Sequence, residues 1–193
     1  MDFNTATEEN KNAITKNLFY CQEWLKNNLK MTTFLFWGTL LGIIRDKDFI
    51  SYDHDIDLVY LSPYKKYEHI KEELQYIYQY LQKNELLVKV FKNKGQVHIK
   101  TPLKDKFIFD LWVAWIENGY FCVTSSNGIM KISQENLLLP LYPIKFRGYS
   151  FLVPNNSEKL LKILYGNNWK VPINWKINPP IDFLTQWIQE HKI

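Results

Sequence analysis

The amino-acid sequence predicts an α/β protein of the α+β type, in which a mixed central β-sheet is flanked by helices. Three observations predict this class: apolar residues with helical spacing near the start of the chain, short apolar runs between turn signals in its middle, and an early strand–turn–helix–strand unit at 33–61. The chain has 193 residues and no repeat, low-complexity tract or linker. We therefore expect residues 1–193 to form a single domain with a sizeable core.

The helices are predicted from apolar residues three or four positions apart. A first helix at about 7–30 has one such face, formed by Ile14, Leu18, Cys21, Leu25 and Leu29. A short helix at 40–45 follows the break at Gly38–Thr39, and a longer helix begins at Ser62–Pro63, since proline is tolerated in a first turn. A C-terminal helical segment at about 155–191 contains a helix at 155–166, closed by Gly166, and a last helix at about 181–191.

The strands are predicted where β-branched and aromatic residues cluster between turn signals. They cover 33–37, 55–61, 86–91, 96–100, 106–115 and 121–124. An Asn-Gly pair at 118–119 marks the turn before the last of these, and a hairpin about Arg147–Gly148 spans 143–154.

The composition excludes several classes of protein. Hydrophobic residues form 46% of the chain and charged residues 23%, as in soluble globular proteins. The net charge of +4 is mild and basic residues form no long run, so we expect no nucleic-acid polymer as a partner. No stretch approaches about 18 apolar residues, so no transmembrane segment is predicted, while peripheral membrane association stays open. Cys21 and Cys122 are interpreted as buried thiols, which favours a cytoplasmic location for a chain without a signal-peptide pattern.

Three aspartates, Asp53, Asp55 and Asp57, lie within five residues and repel one another unless they are solvated or share a cation. In an extended segment Asp55 and Asp57 point to one face, with Cα atoms roughly 6–7 Å apart. That spacing suits two divalent cations about 3.5–4 Å apart, an arrangement that serves in-line phosphoryl displacement. The alternative is a solvated acidic loop that binds nothing.

Two other features complete a candidate site. Asp110 lies in the strand 106–115 with apolar neighbours on both faces, where a charge is costly unless it is paired with a cation or bound to a metal. The alternative for Asp110 is therefore a buried ion pair. The turn at Gly38 and Thr39 offers an anion backbone N–H groups, a hydroxyl and the positive end of a helix. Together these features predict a site for nucleotide phosphates.

These residues resemble a known pattern. The segment Trp37–Thr39, then Asp55 and Asp57, then a distal Asp110 are similar to the pattern of the nucleotidyltransferase superfamily, with Thr39 where serine is usual. More closely, residues 38–58 resemble the LicD/fukutin-related family, as does the ending 151–169 with its Tyr-Gly-x-x-Trp. The resemblance covers about residues 34–169 and implies a nucleotidyltransferase-like fold.

The family resemblance implies a metal-dependent transferase. It would move phosphocholine, or an alditol or glycerol phosphate, from a CDP-activated donor to a glycan acceptor of a cell-surface polysaccharide or glycoconjugate. Asp55, Asp57 and Asp110 would hold Mg²⁺ or Mn²⁺, which would neutralise the diphosphate and the leaving cytidine monophosphate. Asp110 or Asp53 would accept the proton of the acceptor hydroxyl. Two alternatives remain: a nucleotidyltransferase that moves NMP from an NTP to a small molecule or protein, and a non-catalytic binding domain of the same fold.

Three further residues have two interpretations each. Arg45 either contacts a substrate phosphate or is an ordinary cation at a helix end. His98, on the strand before Asp110, either binds substrate or is an ordinary strand histidine. Trp169 either packs against the helix it follows or contacts a ligand. The aromatic residues, which form 16% of the chain, could build a cage for choline, but most are expected in the core.

Overall fold

The computed structural model describes residues 3–91, 95–101, 103, 107–125, 128–132 and 135–172. Within these ranges the predicted class is confirmed, because a mixed sheet is flanked by helices. The helices are α1 (Glu8–Leu29), α2 (Trp37–Arg45), α3 (Tyr67–Lys83) and α4 (Ser157–Tyr165). The strands are β1 (Thr33–Leu35), β2 (Asp57–Leu61), β3 (Leu87–Phe91), β4 (Gln96–Lys100), β5 (Ile108–Glu117), β6 (Tyr120–Ser125), β7 (Gly128–Ile132), β8 (Tyr142–Phe146) and β9 (Tyr149–Val153). The predicted last helix at about 181–191 lies outside the described residues, and the single domain 1–193 stays a prediction.

Helix α1 lies against β1 and β9. It begins where the hydroxyl of Thr7 accepts a hydrogen bond from the N–H of Asn10 at 3.2 Å. It ends at Leu29 because Lys30 adopts the left-handed conformation, with φ at 56°. Four of the five residues of the predicted apolar face are buried in the core, Ile14, Leu18, Cys21 and Leu25, and Leu29 at the helix end is partly buried.

Strand β5 lies at the centre of the main sheet, whose order is β1-β2-β5-β4-β3, with β6 pairing with β5 and β7. Strand β2 runs parallel to β5 along one edge. Along the other edge β4 pairs with the first half of β5 and β6 with its second half, both antiparallel. Residues 109–115 are buried as a result, because β5 has neighbours on both sides. Strands β8 and β9 form a separate two-stranded sheet about the predicted turn.

Two element bounds near the aspartates differ from the prediction. Strand β1 ends at Leu35 and α2 begins at Trp37, three residues earlier than predicted, so Gly38 and Thr39 belong to the helix. Strand β2 begins at Asp57, so Asp55 lies in the preceding loop and not in the strand. The pairing of β2 with β5 starts at Asp57, which explains why the regular strand starts there.

Two further differences lie elsewhere. Helix α3 begins at Tyr67 and not at Ser62, because the Ser62 hydroxyl accepts the N–H of Tyr64 at 3.2 Å and bonds to Glu73, closing a turn. Strand β7 was not predicted, since it is a short edge strand whose order depends on pairing with β6.

The loop that joins α2 to β2, residues 46–56, is called the aspartate loop below. Asp48 in this loop forms ion pairs with Lys11 of α1 and with Arg147 at the β8–β9 turn, the latter at 2.8 Å. Gly42 allows α2 to pack tightly against the loop: a Cβ atom there would lie 2.7 Å from the carbonyl oxygen of Asp48. The loop is therefore held by residues that are distant in the chain.

The N-terminal segment also lies on the aspartate loop. The N–H of Phe3 donates to the carbonyl oxygen of Asp53 at 3.3 Å, and the rings of Phe3 and Phe49 stack with centroids 4.8 Å apart. Cys21 and Cys122 are buried and free, as predicted. Among the helices of the described ranges, none has the length and apolar character that crossing a bilayer requires.

Candidate active site

Asp57 and Asp110 lie directly opposite each other on the parallel pair β2–β5. Asp57 is the first residue of β2, and Asp110 is the third residue of β5. Both are buried, with 7% and 6% of their surface exposed. The strand of Asp110 is thus the neighbour of the strand of Asp57, as convergence of the predicted carboxylates on one site requires.

Asp57 is held by two hydrogen bonds. Its Oδ1 accepts the indole N–H of Trp112 at 2.9 Å, and its backbone N–H donates to the hydroxyl of Thr39 at 2.8 Å. Burial raises the pKa of the Asp57 carboxyl well above its ordinary value, and the charge of Asp55 raises it further, while the bond from Trp112 lowers it. The site therefore disfavours the charged form of Asp57 unless a positive charge is supplied.

Asp110 is bonded to two neutral partners of strand β4. Its Oδ2 accepts the amide N–H of Gln96 at 2.6 Å, and its Oδ1 lies 3.0 Å from Nε2 of His98. Burial raises the pKa of Asp110 to about 7, the charge of Asp55 adds to the rise, and the bond from Gln96 opposes it. No lysine or arginine pairs with Asp110 in the described part of the chain, which argues against the alternative of a buried ion pair.

His98 lies opposite Asp110 in the β4–β5 register, and its ring centroid is 4.6 Å from that of Phe91. Burial lowers the pKa of His98, the charge of Lys89 lowers it further, and the charge of Asp55 opposes both. Since the pKa of Asp110 is raised and that of His98 lowered, their contact is a hydrogen bond at neutral pH and not a full ion pair.

Asp53 and Asp55 complete the cluster from the aspartate loop. Burial raises the pKa of Asp53 to about 7, a hydrogen bond with Asp55 adds to the rise, and the backbone N–H of His54 stabilises the charged form. Asp55 is exposed, yet its charge raises the pKa of Asp53, Asp57 and Asp110. It is the common neighbour of the other three carboxylates.

Gly38 lies in the first turn of α2 and faces this cluster. A Cβ atom at Gly38 would lie 2.5 Å from Oδ2 of Asp53 and 3.8 Å from Oδ2 of Asp57. The absence of a side chain therefore makes room for Asp53 in the structure, and close approach of a phosphate to Gly38 stays a prediction.

Thr39 and Arg45, both predicted to bind substrate, have partners within the protein. The Thr39 hydroxyl is buried and accepts the N–H of Asp57, so it positions that carboxylate. The guanidinium of Arg45, in the last turn of α2, makes two hydrogen bonds of 2.7 Å to the carboxylate of Asp46. Contacts of either residue with a phosphate stay predictions.

The carboxylate cluster has the chemistry of a cation site but not its geometry in this conformation. Among the described residues, no three Asp, Glu, His or Cys side chains are arranged around a single ion. In this conformation the oxygens of Asp57 and Asp110 face Trp112, Gln96 and His98. The donor chemistry nevertheless fits a hard divalent cation, because crowded carboxylates that raise one another's pKa are stabilised by such an ion.

Three residues near the cluster were missed by the sequence interpretation. Trp112 and Gln96 point toward the carboxylates, and the only signal was their period-two spacing from Asp110 and His98. Tyr165, at the end of α4, is the third: burial raises its pKa well above the ordinary value, and the charges of Asp57 and Asp53 add to the rise. Trp169 is buried in the core, which agrees with a packing role.

Comparison with known proteins places this site in a family. The family model described as LicD/FKTN/FKRP, nucleotidyltransferase domain, matches residues 30–156. The ribitol 5-phosphate transferases FKRP of Mus musculus and Homo sapiens are each 24% identical to the chain over an alignment of 143 residues. The alignment covers 67% of this chain and 26% of theirs. The chain thus spans about a quarter of the length of these curated relatives.

The family model matches residues 30–156, which include β1 to β9 and all eight predicted site residues. The carboxylates among these residues converge at the start of β2. The match covers more than half of the chain. The chain therefore belongs to the LicD/FKTN/FKRP family, and residues 30–156 are its nucleotidyltransferase domain.

Proposed function

We propose that this protein is a metal-dependent phosphotransferase that moves a phospho-substituted group from a CDP-activated donor to a hydroxyl of a glycan. The observation that carries the proposal is the opposed pair of buried carboxylates, Asp57 and Asp110, within a nucleotidyltransferase domain. The group is phosphocholine or an alditol or glycerol phosphate. The relatives named ribitol 5-phosphate transferase favour an alditol phosphate.

In the proposed reaction the acceptor oxygen bonds to the phosphorus of the substituted phosphate. The bond between that phosphorus and the bridging oxygen of the diphosphate breaks, and cytidine monophosphate leaves with the electron pair. The acceptor proton passes to a carboxylate, Asp110 or Asp53. Burial raises the pKa of both to about 7 in the metal-free protein, and a bound cation would lower these values.

Asp55, Asp57 and Asp110 would hold Mg²⁺ or Mn²⁺, and the ion would neutralise charge on the diphosphate and the leaving nucleotide. Trp112 and Gln96 orient two of these carboxylates. The start of α2 supports an anion site near Gly38, since no side chain caps its first turn and the turn itself contains no acidic residue. The carboxylate of Asp53 lies beside Gly38, so a phosphate there would need the cation to offset that charge. In this proposal Arg45 and His98 contact substrate.

Two other functions share this site. A nucleotidyltransferase would leave NMP on the acceptor, whereas the proposed enzyme releases free CMP. A non-catalytic domain would produce neither.

The cytoplasmic location and peripheral membrane association stay predictions. The buried free thiols of Cys21 and Cys122 support the cytoplasmic location.

The test is a donor screen read by mass spectrometry. The purified protein is incubated with Mg²⁺ or Mn²⁺, glycan fragments, and CDP-choline, CDP-ribitol, CDP-glycerol or an NTP. Release of CMP together with a phospho-substituted glycan, lost in Asp57→Asn and in EDTA, is the expected result. A glycan or protein that carries NMP would support the nucleotidyltransferase instead. If no donor is consumed, the proposed activity is wrong.

A further inference from the structure

A cavity of about 330 Å³ opens beside the carboxylate cluster, at the lower end of the range for small-molecule sites. One part of its wall carries the polar side chains of Asp55, His98 and Asp110. Most of the rest is apolar and includes Ile14, Ile56, Phe107 and Ile108. Such a cavity, apolar with a few polar groups on one side, is typical of a specific site for a small organic molecule.

The cavity meets the cluster at Asp55 and Asp110. In the described part of the chain its wall includes neither Gly38 nor Thr39. Gly38 instead faces Asp53 and Asp57. The cavity therefore lies on the side of the cluster formed by Asp55 and Asp110, whereas the start of α2 lies beside Asp53 and Asp57. Two different sides of the cluster suit a transfer between two substrates.

The charged side chains that line the cavity indicate which of the two substrates it can bind. Its described residues include two carboxylates and two histidines, His54 among them, but no lysine or arginine. Cationic side chains favour a phosphate, and the described part of this wall lacks them. A neutral molecule with several hydroxyl groups fits better, because its hydroxyls can donate to the carboxylates while its C–H surface packs on isoleucine and phenylalanine.

Ile108 is an exposed apolar residue of the cavity wall and lies close to Asp110. It precedes Asp110 by two positions in β5, so both side chains lie on the same face of the sheet. It is 49% exposed, although it is a large apolar residue next to a buried carboxylate. A ligand that covers Ile108 would bury this apolar surface.

We infer that this cavity binds the sugar unit of the acceptor, with a hydroxyl directed at Asp110 and an apolar sugar face against Ile108 and Phe107. The assignment to the acceptor rests on the proposed transferase function. It makes Ile108 a determinant of acceptor specificity that does not touch the donor.

The test is methyl NMR of the full chain labelled at isoleucine, with methyl glycosides of glucose, galactose and N-acetylglucosamine as probes. We expect saturable shifts of the methyl groups of Ile14, Ile56 and Ile108. Ile129, 40% exposed on β7 and not part of the cavity wall, should not move. If no glycoside produces saturable shifts at the three cavity residues, the inference is overturned.

Two variants sharpen the test. Ile108→Trp should fill the cavity and weaken glycoside binding at least about tenfold, whereas the matched control Ile129→Trp should leave it unchanged. If Ile108→Trp perturbs the core methyl signals, Ile108→Ala replaces it and should weaken binding by removing apolar contact. Unchanged glycoside binding in a folded Ile108 variant would reject the assignment.

The outcomes separate this inference from the proposed function. If a CDP donor is consumed but Ile108→Trp leaves the acceptor KM unchanged, the cavity assignment fails and the transferase stands. If glycosides bind as expected but no nucleotide donor is consumed, the cavity remains a sugar site and the proposed function fails.

Discussion

The indole Nε1 of Trp112 donates a 2.9 Å hydrogen bond to Oδ1 of Asp57, although the residue opposite Trp112 on β2 is Val59. The bond therefore runs diagonally from one residue pair to the next. On the other edge of β5, Gln96 lies opposite Trp112 and makes the equivalent diagonal bond to Asp110. Two neutral donors thus orient the two buried carboxylates without cancelling their charge.

Trp112→Phe removes the donor to Asp57 and should lower turnover about 10–100-fold, as is typical for residues that orient metal-binding carboxylates. It should also destabilise the protein by about 1–3 kcal/mol, because a buried acceptor loses its partner. Urea unfolding and donor-turnover assays measure the two effects.

Trp115→Phe is the matched control for that variant. Trp115 is also buried in β5, but its indole N–H has no hydrogen-bond partner among the described residues. The same substitution there should leave turnover nearly unchanged. Equal losses of turnover in the two variants would show that the bond to Asp57 is unimportant.

Asp57→Asn should abolish turnover and yet leave the metal-free protein as stable as the wild type or more stable. The asparagine oxygen can still accept from Trp112, while the burial of a charge and its repulsion by Asp55 are removed. Thermal melting in EDTA measures stability, with the exposed Glu158→Gln on α4 as the control. Substantial turnover by Asp57→Asn would remove Asp57 from the site.

Gly38→Ala and Gly42→Ala should differ in their effects, although both lie in α2. At Gly38 the new Cβ meets the flexible carboxylate of Asp53, so we expect turnover at least about tenfold lower with little loss of stability. At Gly42 the new Cβ meets the backbone oxygen of Asp48 at 2.7 Å, and this overpacking should lower the free energy of unfolding by about 1–3 kcal/mol. The better helix propensity of alanine offsets about 1 kcal/mol of that loss. Chemical unfolding and turnover measured on both variants check the contrast, which the same loss of stability in both would contradict.

The metal-free protein should lose stability as the pH rises from about 4 to about 7. Burial raises the pKa of Asp53 and of Asp110 in the folded state to about 7, from an ordinary value of 3.8. Between these values the folded state binds more protons than the unfolded state, so the free energy of unfolding falls with pH.

Variants isolate this effect from other titrating groups. The stability of Asp53→Asn or Asp110→Asn relative to the wild type should rise across this range, by on the order of 1–3 kcal/mol for each group. Urea unfolding at several pH values in EDTA measures the difference. A difference independent of pH would contradict the raised pKa values.

The parts of the fold and site that were predictable from sequence depend on local patterns. The face of α1 that carries Leu18 and Leu25 follows from spacing alone, and the crowding of Asp53, Asp55 and Asp57 is visible in the sequence. The start of β2 at Asp57 could not be predicted, because it is determined by pairing with β5, a contact that is distant in the chain.

The partners of the site residues were likewise beyond local patterns. Thr39 has a hydroxyl that could bind a phosphate, yet this hydroxyl accepts the backbone N–H of Asp57, 18 residues later. The diagonal bonds of Trp112 and Gln96 depend on the registers of three strands. From sequence alone such side chains are assigned to the core, because their partners are known only when the strand registers are known.

The ion pairs of Asp48 have a consequence for where the working unit of this protein begins. The family model starts at residue 30, yet Lys11 and Phe3 hold the aspartate loop from the preceding segment. A fragment trimmed to residues 30–156 would keep every carboxylate and lose part of their support, and a comparison of its melting and turnover with the full chain would show whether it can stand alone. The range matched by sequence similarity is therefore shorter than the range that supports the aspartate loop. We expect the smallest active fragment to include residues 3–29.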